Sequence, residues 1–415
     1  MNYDLIIVGA GASGLAAAYR TASLTHELNI MVLEKEKTAG RKLSAAGNGR
    51  CNLTNQYFES SCYYSDKQGK MAEWTSRHSY SDILQFFENM GVLLYETEGY
   101  YYPRSNQGKQ VTNLFLEKCR QLGVKFSFES DVTRITFLEN GGYEVEVIGP
   151  AREQCTYHSK AVILAAGTPA YPVLGGSNDG YQLISDLQIK CQPFFPALSP
   201  IYVDDSLLKL AKGVRLDAMV SLKGTDGTVI KEKGQVQFNE DCLSGIVIMN
   251  LSCYYNRQQK ADSLYLDTLP ELSWEQLKSY FLEQQKQFPE ESITQMLYGI
   301  FPKSFIKYLI KRLEWKEEMP ITSLTDKQMN RLTSAVKKLT FAPVYQENYE
   351  KSQTAGGGVD LEEIHMNTFE SRQYPGLFIT GELLDVYGKC GGYNLTFAIL
   401  SGIEAADTVV KRCEE

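Results

Sequence analysis

Six residues near the start of the chain, Gly9-Ala10-Gly11-Ala12-Ser13-Gly14, restrict its fold more than any other segment. They follow a continuous apolar run, YDLIIV at 3–8, of the kind a strand buried on both faces requires. They precede SGLAAAYRTASL, a helical segment with small residues at Gly14, Ala18 and Ala22 on one stripe. In a GxGxxG turn so placed, Gly9 permits the tight bend. Gly11 lets a pyrophosphate approach the backbone, and Gly14 lets helix and strand pack closely. The helix start presents unpaired N–H groups, Ala12 and Ser13 among them, and about half a positive charge. Glu34, followed by Lys35, ends the next strand, NIMVLEKE, 20 residues beyond Gly14. A carboxylate there accepts from both hydroxyls of an unphosphorylated adenosine ribose, which favours FAD or NAD over NADP.

The chain therefore begins as an α/β protein with a Rossmann-like dinucleotide-binding domain. Its 415 residues exceed one ordinary core. The segment 70–125 holds two helices, around YSDILQFFENMG and QVTNLFLEKCRQLG, with a strand-and-turn piece, VLLYETEGYYYPRS, between them. Two strands, VKFSFES and GYEVEVIG, lead to a buried strand, AVILAAG. After Gly180 the texture changes. LSPIYVDD, AMVSLKGTDGTVIKEKGQVQF and GIVIMNLSCYY read as strands, with a turn at Asp226-Gly227. From Trp274 to Leu339 the pattern is helical, and residues 377–412 return to strand then helix. The expected division is an FAD-type domain over 1–192 and 350–415, an inserted β domain over 193–265 and 340–349, and a helical lobe over 266–339.

Composition excludes several function classes. No apolar run approaches the roughly 18 residues of a membrane span. The chain opens on a strand with no basic region before it, so the expectation is a cytoplasmic protein with no membrane partner. A net charge of −8 argues against a general nucleic-acid binder. Lys303, Lys307, Lys311, Arg312 and Lys316 would be the surface for one, and they read better as the solvated face of an amphipathic helix. Nine scattered Cys and four His, without CxxC or helical ligand spacing, make a disulfide framework or a metal site improbable.

Three further segments carry chemistry. Residues 35–55 run through Gly40-Arg41-Lys42, which can approach a diphosphate, to AAGNGRCNLTN, rich in Gly and Asn and nearly free of apolar side chains. Such a stretch, with Gly49-Arg50-Cys51-Asn52 in a row, suits wrapping a long cofactor with a polar-edged ring, FAD rather than NAD. AVILAAG ends in Ala166-Gly167, beside the adenosine half of a dinucleotide. The last segment, GLFITGELLDVYGKCGGYNLTFAILSG, ends a strand at Gly381-Glu382, places Asp385 to accept from a ribityl hydroxyl, and opens the final helix at Gly392-Tyr393-Asn394. The positive end of that helix would face the flavin edge where charge develops on reduction.

These residues carry a resemblance. The chain resembles the bacterial FAD-dependent oxidoreductase family that includes BaiN-type bile-acid reductases and aminoacetone oxidase. The similarity is densest in DLIIVGAGASGLAAA, GRKLSAAGNGRCNLTN, VILAAGTPAYPVLGGSNDGY, YEKSQTAGGGVDLEEI and the C-terminal segment. It implies FAD contacts at Glu34, Arg41, Lys42, Ser44, Asn48, Arg50, Cys51, Asn52, Val132, Glu382, Asp385, Asn394 and Leu395. Where relatives usually read DVDGPCGGYN, this chain has Tyr387 and Lys389. Where they usually read a THxGLSGP-like run, it has NEDCLSGI. The expected activity is a flavin-dependent reduction in which NADH or NADPH, docking transiently because no second GxGxxG is present, supplies hydride for a small organic acceptor such as an activated C=C bond. Tyr387 or Tyr102 is the candidate proton donor. An oxidase of a small amine using O2, and a flavoprotein acting on a macromolecule such as tRNA, are the alternatives. The sequence leaves the oligomeric state open.

Overall fold

In the computed structural model, described for residues 2–139, 141–258 and 260–414 (Glu414 by its backbone alone), the chain divides into two compact units, Met1–Pro196 with Tyr349–Glu415, and Ala197–Asn348. The first is built on a parallel sheet of β1 (Asn2–Val8), β2 (Ile30–Leu33), β3 (Lys125–Ser127), β4 (Gln154–Leu164) and β5 (Leu377–Ile379), in the order β5-β4-β1-β2-β3. Ile6 lies opposite Val162 on one side and Met31 on the other. Leu5, Ile6, Ile7 and Val32 are wholly buried, which is why β1 and β2 read as unbroken apolar runs. The crossover helix α1 (Ala12–Leu24) packs along the final helix α2 (Tyr393–Glu414). Ala18 and Ala22 are buried on α1. Ser13 Oγ donates to Thr380 Oγ1 at 2.8 Å, and Arg20 Nε donates to Asp407 Oδ1 at 2.5 Å.

The sheet continues antiparallel through Tyr143–Ile148, paired with the first half of β4, and Asp131–Phe137 beyond it. The sequence pattern suggests two strands between 124 and 150, and the structure holds three. A register irregularity between Val132 and Arg134 puts the buried positions Val132 and Ile135 three residues apart, so the two-residue alternation is hidden.

The second unit carries a seven-stranded antiparallel sheet in the order Leu339–Phe341, Ser263–Asp267, Arg215–Lys223, Val229–Phe238, Cys242–Ser244, Ile201–Val203, Pro343–Val344. Asp226-Gly227 turns its central hairpin, with Thr228 N donating to Asp226 Oδ1 at 2.9 Å. GIVIMNLSCYY is not the expected strand. Residues Ile246–Gln258 form a helix lying across Val229–Phe238, where Gly234 leaves space for Val247. Packing on a sheet face overrides the β preference of Ile246-Val247-Ile248.

The helices Trp274–Gln287, Lys303–Arg312 and Asp326–Lys337 share one core with this sheet; Phe238 meets Phe305 with ring centroids 5.3 Å apart. Sheet and helices are thus a single unit, not the separate β domain and helical lobe expected. Lys303, Lys307 and Lys311 are exposed, whereas Arg312 turns inward to Asp205, Tyr308 and the Thr340 carbonyl. No described helix is long and apolar enough to cross a membrane, and no cluster of His, Cys, Asp and Glu among the described residues suits a metal ion.

Candidate functional site

The glycine turn is shaped by close approach. A Cβ on Gly14 would lie 1.9 Å from Gly9 O, and one on Gly9 would lie 2.5 Å from Ala165 O. Gly9 itself has φ +97°, a left-handed value. Gly11 differs: nothing lies within 4 Å of its would-be Cβ. It is the N-cap of α1, and no side chain caps the helix. The first-turn N–H groups are therefore left to whatever sits before them.

Before them opens a cleft. It gathers most of the residues expected from the sequence: Gly9, Gly11, Ala12 and Ser13, then Glu34 and Lys35, Arg41 and Lys42, Val132, Ala166 and Gly167, Gly381 and Glu382, and Asn394 and Leu395. Glu34 is oriented by the backbone. Its Oε2 accepts from Ala10 N at 2.7 Å and its Oε1 from Glu36 N at 2.8 Å. Burial raises its pKa, and the two backbone bonds oppose that rise. Each oxygen keeps a lone pair for a further donor.

Other charges on the cleft pair with one another. Arg41 is held by Glu36 and donates to Val173 O at 2.6 Å. Lys42 Nζ donates to Glu382 Oε2 at 3.1 Å, and Glu382 also accepts from Thr168 and Thr354. Sequence reasoning missed Asp131 and Asp179, which flank Lys35 at 3.7 and 2.6 Å. The signal for Asp179 was present in GGSNDG, which leads into the short helix Asp179–Asp186.

A second group lies outside the cleft lining. Gly47, Asn48, Gly49 and Cys51 all have φ between +57° and +82°. For Asn48 and Cys51, a left-handed backbone costs on the order of 1 kcal/mol each, and such strain clusters at functional sites. The turn is pinned by Cys51 N to Ala46 O at 2.8 Å and Gly108 N to Gly49 O at 2.7 Å. Ser44 Oγ meets Thr112 Oγ1 at 2.9 Å. Arg50 reaches away, its guanidinium 4.2 Å above the Tyr102 ring.

The turn and the start of α2 meet through Leu53 and Thr54. Thr396 Oγ1 contacts Thr54 Oγ1 at 2.9 Å, and a Cβ on Gly392 would lie 2.9 Å from Thr54 Cα. The two segments that looked most distinctive in the sequence are therefore neighbours. Asn394 spends its amide on Gly388, accepting from N at 2.8 Å and donating to O at 3.1 Å.

Asp385, Tyr387, Tyr393 and Cys51, all expected at the site, sit off the cleft lining in the structure. Asp385 is buried off the cleft lining and accepts from Asp66 N at 2.9 Å. Tyr387 is buried, stacked on Tyr64 at 5.3 Å and edge-on to Phe195 at 5.6 Å. Tyr393 packs on Tyr63 at 5.8 Å. Cys51 is wholly buried and burial pushes its thiol pKa up to about 12. Cys51 is accordingly expected to resist iodoacetamide at pH 8 in the native protein while exposed Cys413 is labelled, as read by peptide mass spectrometry. Rapid Cys51 labelling would show that the turn opens.

These residues fit FAD. The cleft lining runs from the glycine turn past Glu34 and Arg41 to Glu382 and the start of α2, an extended path of the kind a dinucleotide needs. The glycine turn and helix start suit the pyrophosphate, and Glu34 suits the ribose. Asn52 Oδ1 is buried with no donor among the described residues and could accept from a ring N–H. No His or Cys lines the cleft. Its residues are of types that bind and orient, which leaves redox chemistry to a bound group.

The comparisons agree with this geometry. The sequence matches the family described as HI0933-like protein Rossmann domain over residues 3–408. It is 31% identical to the 3-dehydro-bile acid delta(4,6)-reductase of Clostridium scindens over 409 residues, 98% of each chain. It is 27% identical to the ribosomal RNA dihydrouridine synthase of Escherichia coli, covering 99% of this chain and 98% of that one. In fold it is similar to 3-ketosteroid-delta4-(5alpha)-dehydrogenase from Rhodococcus jostii, with a TM-score of 0.52 at 12% identity, covering 99% and 97%.

Proposed function

Because the chain belongs to the HI0933-like Rossmann-domain family and is an FAD-dependent oxidoreductase, we propose that it is an NAD(P)H-driven reductase of a C=C bond conjugated to a carbonyl. The observation that carries this reading is the chemistry shared by the bile-acid reductase and the dihydrouridine synthase. A 3-oxo-Δ4,6 bile acid and a uracil ring both present a C=C bond in conjugation with C=O, and both names describe its saturation. Bound FAD would supply the two-electron step between donor and acceptor. The protein's part is to hold FAD by the α1 start, Glu34 and the 47–52 turn, and to deliver a proton as the bond is saturated. Tyr102 is the candidate donor, since Tyr387 is buried between Tyr64 and Phe195. Tyr102 is half-buried, and burial raises its pKa, so the phenol stays protonated at neutral pH.

A small planar enone is the first choice of acceptor, since the higher identity is to the bile-acid enzyme. A uracil within RNA is the second reading, supported by the relatives named for ribosomal RNA.

The test is anaerobic. NADH or NADPH is expected to bleach the flavin band of the yellow protein, and a 3-oxo-Δ4 steroid is expected to restore it stoichiometrically. Restoration by a uridine-containing ribosomal RNA fragment alone selects the second acceptor. Bleaching by a small amine but by neither nicotinamide overturns the reductase reading in favour of an oxidase.

A further inference from the structure

We propose that a stack of Arg50, Tyr102, Tyr95 and Arg104 is the docking site of the electron donor and selects NADPH over NADH by its additional phosphate. The inference rests on the reductase reading above. Strands Leu94–Thr97 and Tyr100–Pro103 form a hairpin in which Tyr95 and Tyr102 are direct cross-strand partners, with ring centroids 5.9 Å apart. Arg50 lies 4.2 Å over the Tyr102 ring and Arg104 lies 5.6 Å over the Tyr95 ring.

Arg50 is held in place. It donates to Tyr95 Oη at 2.9 Å and to Asn106 Oδ1 at 3.2 Å, and Tyr95 Oη donates to the same Asn106 oxygen at 2.6 Å. Both guanidiniums are exposed. Among the described residues neither has a carboxylate within ion-pair distance, whereas Arg20, Arg41, Arg312 and Arg412 each have one. In an acidic chain, two adjacent unneutralised arginines backed by phenol faces form an anion site with a stacking platform. The exposed fork of Arg104 matches phosphate, and Arg50, whose Nε and one Nη are spent on Asn106 and Tyr95, offers its outer face to a base.

Two observations choose the donor as occupant. The hairpin is joined to the segment after the strained turn, Thr54 pairing with Tyr101 and Asn55 with Tyr100, so the stack adjoins the 47–52 turn assigned above to FAD. In the cofactor cleft, in contrast, Lys35, Arg41 and Lys42 are each already paired with a carboxylate and Glu34 stands at the ribose position, so a ribose 2′-phosphate finds no uncommitted cation there among the described residues. A phosphorylated dinucleotide is therefore recognised at the stack.

The test is stopped-flow reduction of the FAD-loaded enzyme, anaerobically, by NADPH and by NADH. The wild type is expected to bind NADPH at least about tenfold more tightly. Arg104→Ala, on an exposed side chain, is expected to raise the NADPH Kd about tenfold while leaving the NADH Kd and the limiting reduction rate unchanged, and Arg104→Lys is expected to recover part of the loss. 2′,5′-ADP, used as a competitor, is expected to weaken by the same factor on Arg104→Ala. If the variant keeps the NADPH preference, or the wild type is bleached equally well by both nucleotides, the inference falls and the reductase reading stands. If neither nucleotide bleaches the flavin, the reductase reading falls and takes the inference with it.

Discussion

Gly14→Ala is expected to yield a protein that purifies colourless. The added Cβ would lie 1.9 Å from Gly9 O, 3.1 Å from Gly9 C and 3.3 Å from Ile7 Cγ2. The nearest atoms are backbone of the turn itself, so no rotamer change relieves the clash. Helix α1 must lift away from β1, and overpacking of this kind costs about 1–3 kcal/mol or more. The lift also carries the N–H groups of the helix start away from the pyrophosphate. FAD affinity is expected to fall by about a hundredfold, read from the flavin-to-protein absorbance ratio, with a lower Tm in the same sample. Gly11→Ala is the control. Nothing lies within 4 Å of its Cβ, so the fold should hold, but the methyl projects where the cofactor must approach. Wild-type colour in Gly14→Ala would show that FAD does not sit at this helix start.

Glu34→Gln is expected to weaken FAD at least tenfold and to remove a pH dependence that the wild type shows. Two hydrogen bonds to a carboxylate are worth about 1.5–3 kcal/mol each, and the amide retains only part of that. The pH effect follows from burial, which raises the Glu34 pKa above its ordinary 4.5. In the FAD-free chain the folded state then binds this proton more tightly than the unfolded state. The corresponding stabilisation is full below the ordinary value and is lost as pH rises through the raised one. FAD works in the opposite sense, because ribose hydroxyls donate to the ionised carboxylate. Its affinity is expected to grow as pH rises through the raised pKa and to level off above it. Fluorescence titration with FAD across that range checks the slope; a slope that persists in Glu34→Gln would assign it to another group.

Several features were legible because they are local. β1, the glycine turn, α1 and β2 each follow from residues within a few positions of one another, and Glu34 sits at a distance along the chain that the βαβ geometry demands. Asp131–Phe137 was hidden because a register irregularity moved its buried side chains off the alternation. Ile246–Gln258 reads as a strand by composition, but the strand Val229–Phe238, with its glycine at 234, supplies the surface that makes a helix of it.

The candidate site divides along the same line. Sequence alone marked residues 9–14 and 34 as the candidate dinucleotide site, since glycine spacing and one carboxylate encode both the turn and the charge a ligand would meet. It also singled out 47–52 and 381–395 by their composition. Only the tertiary structure decided what those side chains do. It brought Thr54 against Gly392 and Thr396, spent Arg41 on Glu36 and Asn394 on Gly388, buried Asp385 and Tyr387, and turned Arg50 onto Tyr102. The physical reason is range. Backbone conformation answers to neighbours in sequence, whereas the partner of a charged or polar side chain is whichever group folding brings within about 3 Å, and here those groups lie up to several hundred residues away.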